Sequence, residues 1–301
     1  MRKFSKVVLV MAAAVGVVGI GLTIGGVSMG ATIAGLNLTK AGTGKVIQRV
    51  TQYTALGDEE WEEDWDEIDS LEECTDADKL PVSDIPGDSG NNDDMSVYQA
   101  DDVRKLEFKI SSGELSLREY DGNQIKVGVS GKDKDKVRVG QDGETLVLEG
   151  IGRGQERTVI VWYPKKTRFT DISIEQAAGT VSFESDLATV RLEVSVAAGE
   201  LTNAGKIRSG EAEIEVGTGN VDLNHFQAKR IEADCGIGNI DLSVKGKEAD
   251  YNYEISCGAG SVDIGDSSYS GLGHEKKVSN PGASGKMSLD CGVGNITVDF
   301  E

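Results

Sequence analysis

The chain has 301 residues, with 39 Gly, 4 Pro, 5% aromatics and a net charge of −20. That acidic balance argues against nucleic acid as a partner, because holding phosphates takes clustered Lys and Arg. So few aromatics also argue against an ordinary compact core, while plentiful Val, Ile and Leu in the C-terminal part exclude disorder.

The charge is unevenly spread: residues 1–56 carry +6, residues 58–94 carry −16, and residues 95–301 carry the remaining −10. Residues 1–6 are a basic N-terminus with Arg2, Lys3 and Lys6. From Val7 to Leu36 there is no charge. About 20 apolar residues cross a bilayer, so 7–36 is expected to be a transmembrane helix. The run exceeds a signal-peptide core of about 7–15 residues, which favours an uncleaved, single-pass anchor. Small residues at Ser28/Gly30 and Thr32/Ala34 also suit cleavage. Lys40, Lys45 and Arg49 nearly balance the N-terminal bases, and the orientation favoured puts the C-terminal domain outside the cell.

Residues 37–94 read as a juxtamembrane region followed by an acidic linker. Within it, Trp61, Trp65, Ile68 and Leu71 recur near helical spacing, which suggests a short amphipathic helix. That stripe either contacts a partner through Trp61 and Trp65 or folds back on the chain's own domain. Pro81–Asp94 is polar and turn-rich, and self-repelling charge extends the whole spacer.

In the domain expected at 95–301, the hydrophobic period is two from Lys105 onward. Lys105–Ile110, Glu114–Tyr120, Gln124–Ser130, Glu144–Glu149, Thr158–Tyr163 and Asp171–Glu175 read as strands. Gly113, Asp121–Gly122, Asp142–Gly143 and Pro164 read as the turns between them. A repeat begins near Gln176. Gly179, Gly199, Gly219, Gly238 and Gly260 are 20, 20, 19 and 22 residues apart, and Gly294 follows after 34, across a polar loop at 265–285. After each Gly come polar, apolar, polar, apolar residues, as in Asn220-Val221-Asp222-Leu223; Asn203 alone breaks the rule. A unit this short cannot bury its apolar face alone, but stacked units make that face continuous. The expected fold is therefore all-β: a single-stranded β-solenoid with coils of about 20 residues, preceded by the transmembrane helix.

Three residues before the repeat Gly stand Gln176, Val196, Val216, Cys235, Cys257 and Cys291. Cys in place of Val reads as a buried interior column. No CxxC occurs, and neither His225 nor His274 stands near a Cys at ligand spacing, so a zinc site is not expected. Asp222, Asp241 and Asp263 share one repeat position and should stack outside. They are either a solvated acidic ladder or a cation ladder relieving carboxylate repulsion. Gly236-Ile237-Gly238 lacks the third Gly and the helix of a dinucleotide site. Lys206, Arg208, Lys229, Arg230, Lys245 and Lys247 read as scattered, without the cluster a polysaccharide-cleaving enzyme would need. No cofactor is implied.

Val161-Trp162-Tyr163-Pro164-Lys165, the glycine coils and the closing Gly285-Lys-Met-Ser-Leu-Asp-Cys-Gly-Val-Gly-Asn-Ile-Thr-Val298 resemble the bacterial "putative adhesin" family of Gram-positive bacteria, a domain of unknown function. The similarity covers roughly 100–301. It implies a membrane-anchored or secreted β-solenoid without catalytic residues, at the cell surface, binding a protein or cell-envelope ligand. The alternatives it leaves are an accessory regulatory or envelope-stress protein and, last, a polysaccharide-active enzyme.

Overall fold

The computed structural model describes residues 95–150 and 157–301. The expected transmembrane helix (7–36), the linker with Trp61 and Trp65, and Cys74 lie outside the described residues. Among the described residues no helix is long and apolar enough to cross a membrane.

The fold is all-β. Its strands are β1 (Ser96–Ala100), β2 (Lys105–Tyr120), β3 (Ile125–Gly131), β4 (Val137–Asp142) and β5 (Thr145–Gly150). There follow β6 (Arg157–Pro164), β7 (Phe169–Phe183), β8 (Leu187–Asn203), β9 (Ile207–Arg208) and β10 (Glu211–Gln227). The last are β11 (Arg230–Val244), β12 (Tyr251–Ile264), β13 (Ser267–Val278) and β14 (Gly285–Phe300). They form one 14-stranded sheet, in which β2, β7, β8, β10, β11, β14 and β12 lie parallel and in register in that spatial order.

Each long strand bends at a glycine, and these glycines lie opposite one another from Gly113 to Gly260. The bend demands glycine. At Gly238 φ is +146°, and a Cβ there would stand 1.9 Å from the Gly219 carbonyl oxygen. Outward residues are polar, so the alternation fixes which face turns inward. Val181, Leu201, Val221, Ile240, Ile296 and Val262 form one buried column, as expected. Leu187, Ile207, Phe226 and Val244 form another where β9 joins the flanking strands. A coil such as Glu211–Gln227 therefore has three short sides around a shared core. Nearly all the buried apolar side chains from Ala100 to Val298 pack into one continuous cluster, so 95–301 carries its own core.

Three expectations need correction. First, the stack starts a coil before Gln176. Gly113 is a bend at φ +131°, not a turn between two strands, and it stands opposite Gly179. The excursion β3–β6 separates the two in sequence and hides the period. Second, the coils do not stack in chain order. β14 lies between β11 and β12, pairing parallel with both. Third, the polar stretch after Gly260 is not all loop: β13 runs antiparallel along β12, with Gly271 opposite Gly260. Ser-rich strands bury little, and hydrogen bonds to one neighbour suffice to hold an edge strand.

Both ends close on antiparallel strands. β5 and β6 extend the stack beyond β2, and β4, β3 and β1 cover them antiparallel. At the other end, edge strand β13 exposes Lys276 and Lys277, charges that discourage edge-to-edge association.

Candidate ligand groove and carboxylate face

The residues singled out in the sequence are placed as follows. Cys235, Cys291 and Cys257 stack in that order, free and buried, in the interior column. Burial pushes the Cys257 thiol up to about 11, and a hydrogen bond with Cys235 plus burial raises Cys291 further. The same hydrogen bond with Cys291 holds the Cys235 thiol below the ordinary value, against burial. All three are enclosed in the core, which makes them core rungs rather than accessible nucleophiles. Asp222 and Asp241 face each other across β10 and β11, but Thr297 stands between Asp241 and Asp263. The expected three-carboxylate ladder is therefore interrupted, because β14 is inserted in the stack. Asp222 accepts from Asn224 Nδ2 at 2.8 Å, and Asp263 from Ser261 Oγ at 3.2 Å. His225, at φ +51°, lies 2.6 Å from a Glu301 carboxylate oxygen.

A denser carboxylate array lies on the outer face of the arms before the bend. Glu213 and Glu232 are neighbours there, and so are Glu215, Asp234 and Asp290. Although they point outward, Glu215 and Asp234 are each only 4% exposed. Ser195 Oγ donates to Glu215 at 3.3 Å. Asp234 receives no hydrogen bond among the described residues. Burial, then the charges of Asp290, Glu232, Glu215 and Glu213, push its carboxyl up to about 7. Alternation alone could not reveal this site, since any solvent-facing strand of an acidic protein reads the same way.

A groove of about 590 Å³ runs along the corner between β9's side of the coils and the arms that follow. Its rim carries Arg168, Arg208, Lys229 and Lys245, with Asp250 the one acid beside them. Register explains the first, second and fourth. Arg208 pairs with both Ala188 and Gln227. Arg168 precedes Phe169, the partner of Thr189, and so is level with Ala188. Lys245 donates its backbone N–H to Phe226 and is level with Gln227. Cations therefore occupy alternate coils of one column. None of the four makes an ion pair among the described residues, and all are exposed. Asp250 is engaged elsewhere, accepting from the Lys247 backbone N–H at 3.0 Å.

The floor is small and partly apolar. Gly210 and Gly285 line it, and a Cβ on Gly285 would stand 2.4 Å from the Tyr251 ring. The Tyr251 hydroxyl donates to the Ala228 carbonyl at 2.8 Å, closing the floor from below. Val190, 62% exposed, stands on the rim. The basic residues that look scattered along the chain are thus gathered in part. Arg208, Lys229 and Lys245 meet Arg168, while Arg230 pairs with Glu211 instead. Coil lengths of 19 to 22 residues blur this column in the sequence, because the variable turns lie beside it.

Residues 103–235 match the family described as Toastrack DUF4097, in keeping with the resemblance read from the sequence. Among solved structures, the chain is similar to a "putative cell adhesion protein" from Clostridium sporogenes at 15% identity and TM-score 0.39, covering 69% of this chain and 99% of that one. It is also similar to a "putative adhesin" from Bacteroides fragilis at 14% identity and TM-score 0.36, covering 68% and 95%. A "putative lipid binding protein" from Parabacteroides distasonis follows at 14% identity and TM-score 0.25, covering 68% and 96%. No curated protein matches the chain.

Proposed function

From a chain whose residues 103–235 carry the Toastrack DUF4097 match, we propose a non-enzymatic binding module held at the cell membrane. In this reading the uncharged run 7–36 is a single-pass anchor, 37–94 is a spacer, and 95–301 is a β-solenoid of about 20-residue coils presented outside the cell. The observation that carries it is the groove: an open strip with a partly apolar floor and unpaired cations crossing several coils. Surfaces of this shape recognise extended ligands rather than enclose and transform small ones. Trp61 and Trp65 on the spacer supply a separate contact for a protein partner.

Two measurements test the reading. Protease added to intact cells should release 95–301 while leaving the anchor behind; full protection would put the domain on the wrong side. The purified domain should also be retained by isolated cell-envelope fragments. Failure to bind them, or any co-purifying partner, removes the binding role.

A further inference from the structure

Arg168, Arg208 and Lys245 stand on alternate coils, so their side chains recur at about 9.6 Å, twice the strand spacing. They share one side of a groove whose floor is built of small residues and backbone. We propose that this groove binds a linear acidic polysaccharide, with successive carboxylates taken by Arg168, Arg208 and Lys245. The proposal rests on the binding-module reading and names its ligand.

Three features point to that class. The cation interval matches the length of a disaccharide in an extended chain, so one uronic acid per two sugars would meet one cation per two coils. Arg forks donate two parallel hydrogen bonds to a carboxylate, which fixes register along the strip. The exposed Val190 methyls and the small floor offer apolar contact to the C–H faces of sugar rings, while Lys229 offers donors.

Other polyanions fit worse. Nucleic acid and poly(glycerol phosphate) place their charges closer together than one per two coils. An anionic bilayer would bring its surface against a domain of net charge −10.

The test uses residues 95–301, which contain the whole described core. Hyaluronate oligomers, which carry one uronate per two sugars, should bind saturably, and neutral dextran of equal length should not. Arg208→Ser and Arg168→Ser should each weaken binding by about tenfold, the loss expected for one charge-assisted contact. Lys165→Ser, on an exposed residue that is paired with Asp121 and does not line the groove, should bind as the parent does. Equal melting temperatures would show that the variants remain folded. The proposal is overturned if Arg208→Ser binds the hyaluronate oligomers normally. It is also overturned if poly(glycerol phosphate) or phosphatidylglycerol vesicles bind as tightly as hyaluronate. Envelope fragments that retain parent and Arg208→Ser equally would overturn this ligand while leaving the binding module intact. Fragments that retain neither would remove both.

Discussion

Asp234 stands between Ala233 and Cys235, both facing the interior, yet its own outward carboxylate is 4% exposed. With its carboxyl pushed up to about 7 from an ordinary 3.8, the folded chain holds a proton that the unfolded chain has released. The sign follows. Stability from this group is complete below about pH 4 and is lost as the pH rises through about 7. A shift of this size corresponds to a few kcal/mol. The melting temperature should therefore fall between about pH 5 and pH 8, and Asp234→Asn should flatten the fall and melt higher at pH 8. Thermal melts of parent and variant across that range check it; parallel curves would show that Asp234 is not the group responsible. Asn203 makes a second case. It breaks the apolar rule because its amide donates to the Gly205 and Asn224 carbonyls at 2.6 and 2.7 Å, while its oxygen accepts from the Asn224 backbone N–H. Asn203→Leu should restore the sequence pattern yet destabilise by about 1–3 kcal/mol, through unsatisfied backbone groups. Urea unfolding of the two proteins measures it. Apolarity of the motif was legible at this position; the hydrogen-bond demand of the turn was not.

At the scale of an element, one bent strand is repeated, and its bend is where the repeat is least tolerant. A Cβ at Gly199 would stand 1.9 Å from the Gly179 oxygen, with φ at +156°. Neither backbone can yield without breaking the pairing of both. Gly199→Ala should therefore cost more than the roughly 1 kcal/mol of an ordinary Gly→Ala mismatch, on the order of 3 kcal/mol or above. Denaturant midpoints of the purified variant decide this, and a midpoint within error of the parent would mean the bend relaxes. The same glycines made most of the fold readable. Their spacing near 20 residues announced the stack, and Val or Cys three positions earlier announced an interior column. What escaped the sequence was order in space. Gly113 is separated from Gly179 by the excursion through β6, and the hairpin β12–β13 intervenes before β14. Spacing along a chain records which coils are alike. It does not record which coil lies beside which when a later strand can enter between earlier ones.

Across the whole molecule, that insertion decides which charges meet. It places Cys291 between Cys235 and Cys257 and Thr297 between Asp241 and Asp263, while Asp290 falls beside Asp234. The result is a domain acidic on one face and basic along one groove, neither visible in the net charge of 95–301. The spacer adds a third charged body. Residues 58–94 carry −16 and are covalently joined to the domain at Met95. A tethered segment meets its own domain at an effective concentration up to the millimolar range. The spacer should therefore compete with any soluble polyanion for Arg168, Arg208 and Lys245. Residues 37–301 are expected to bind hyaluronate several-fold more weakly than residues 95–301 at low salt. Raising the ionic strength shortens the screening length to about 8 Å at 0.15 M, which weakens the spacer's hold and the ligand's together. The ratio of the two affinities should then approach one, even as both affinities fall. Parallel titrations of the two chains across salt concentrations measure that ratio. A ratio of one at low salt would show that the acidic spacer keeps clear of the groove and serves only as a tether.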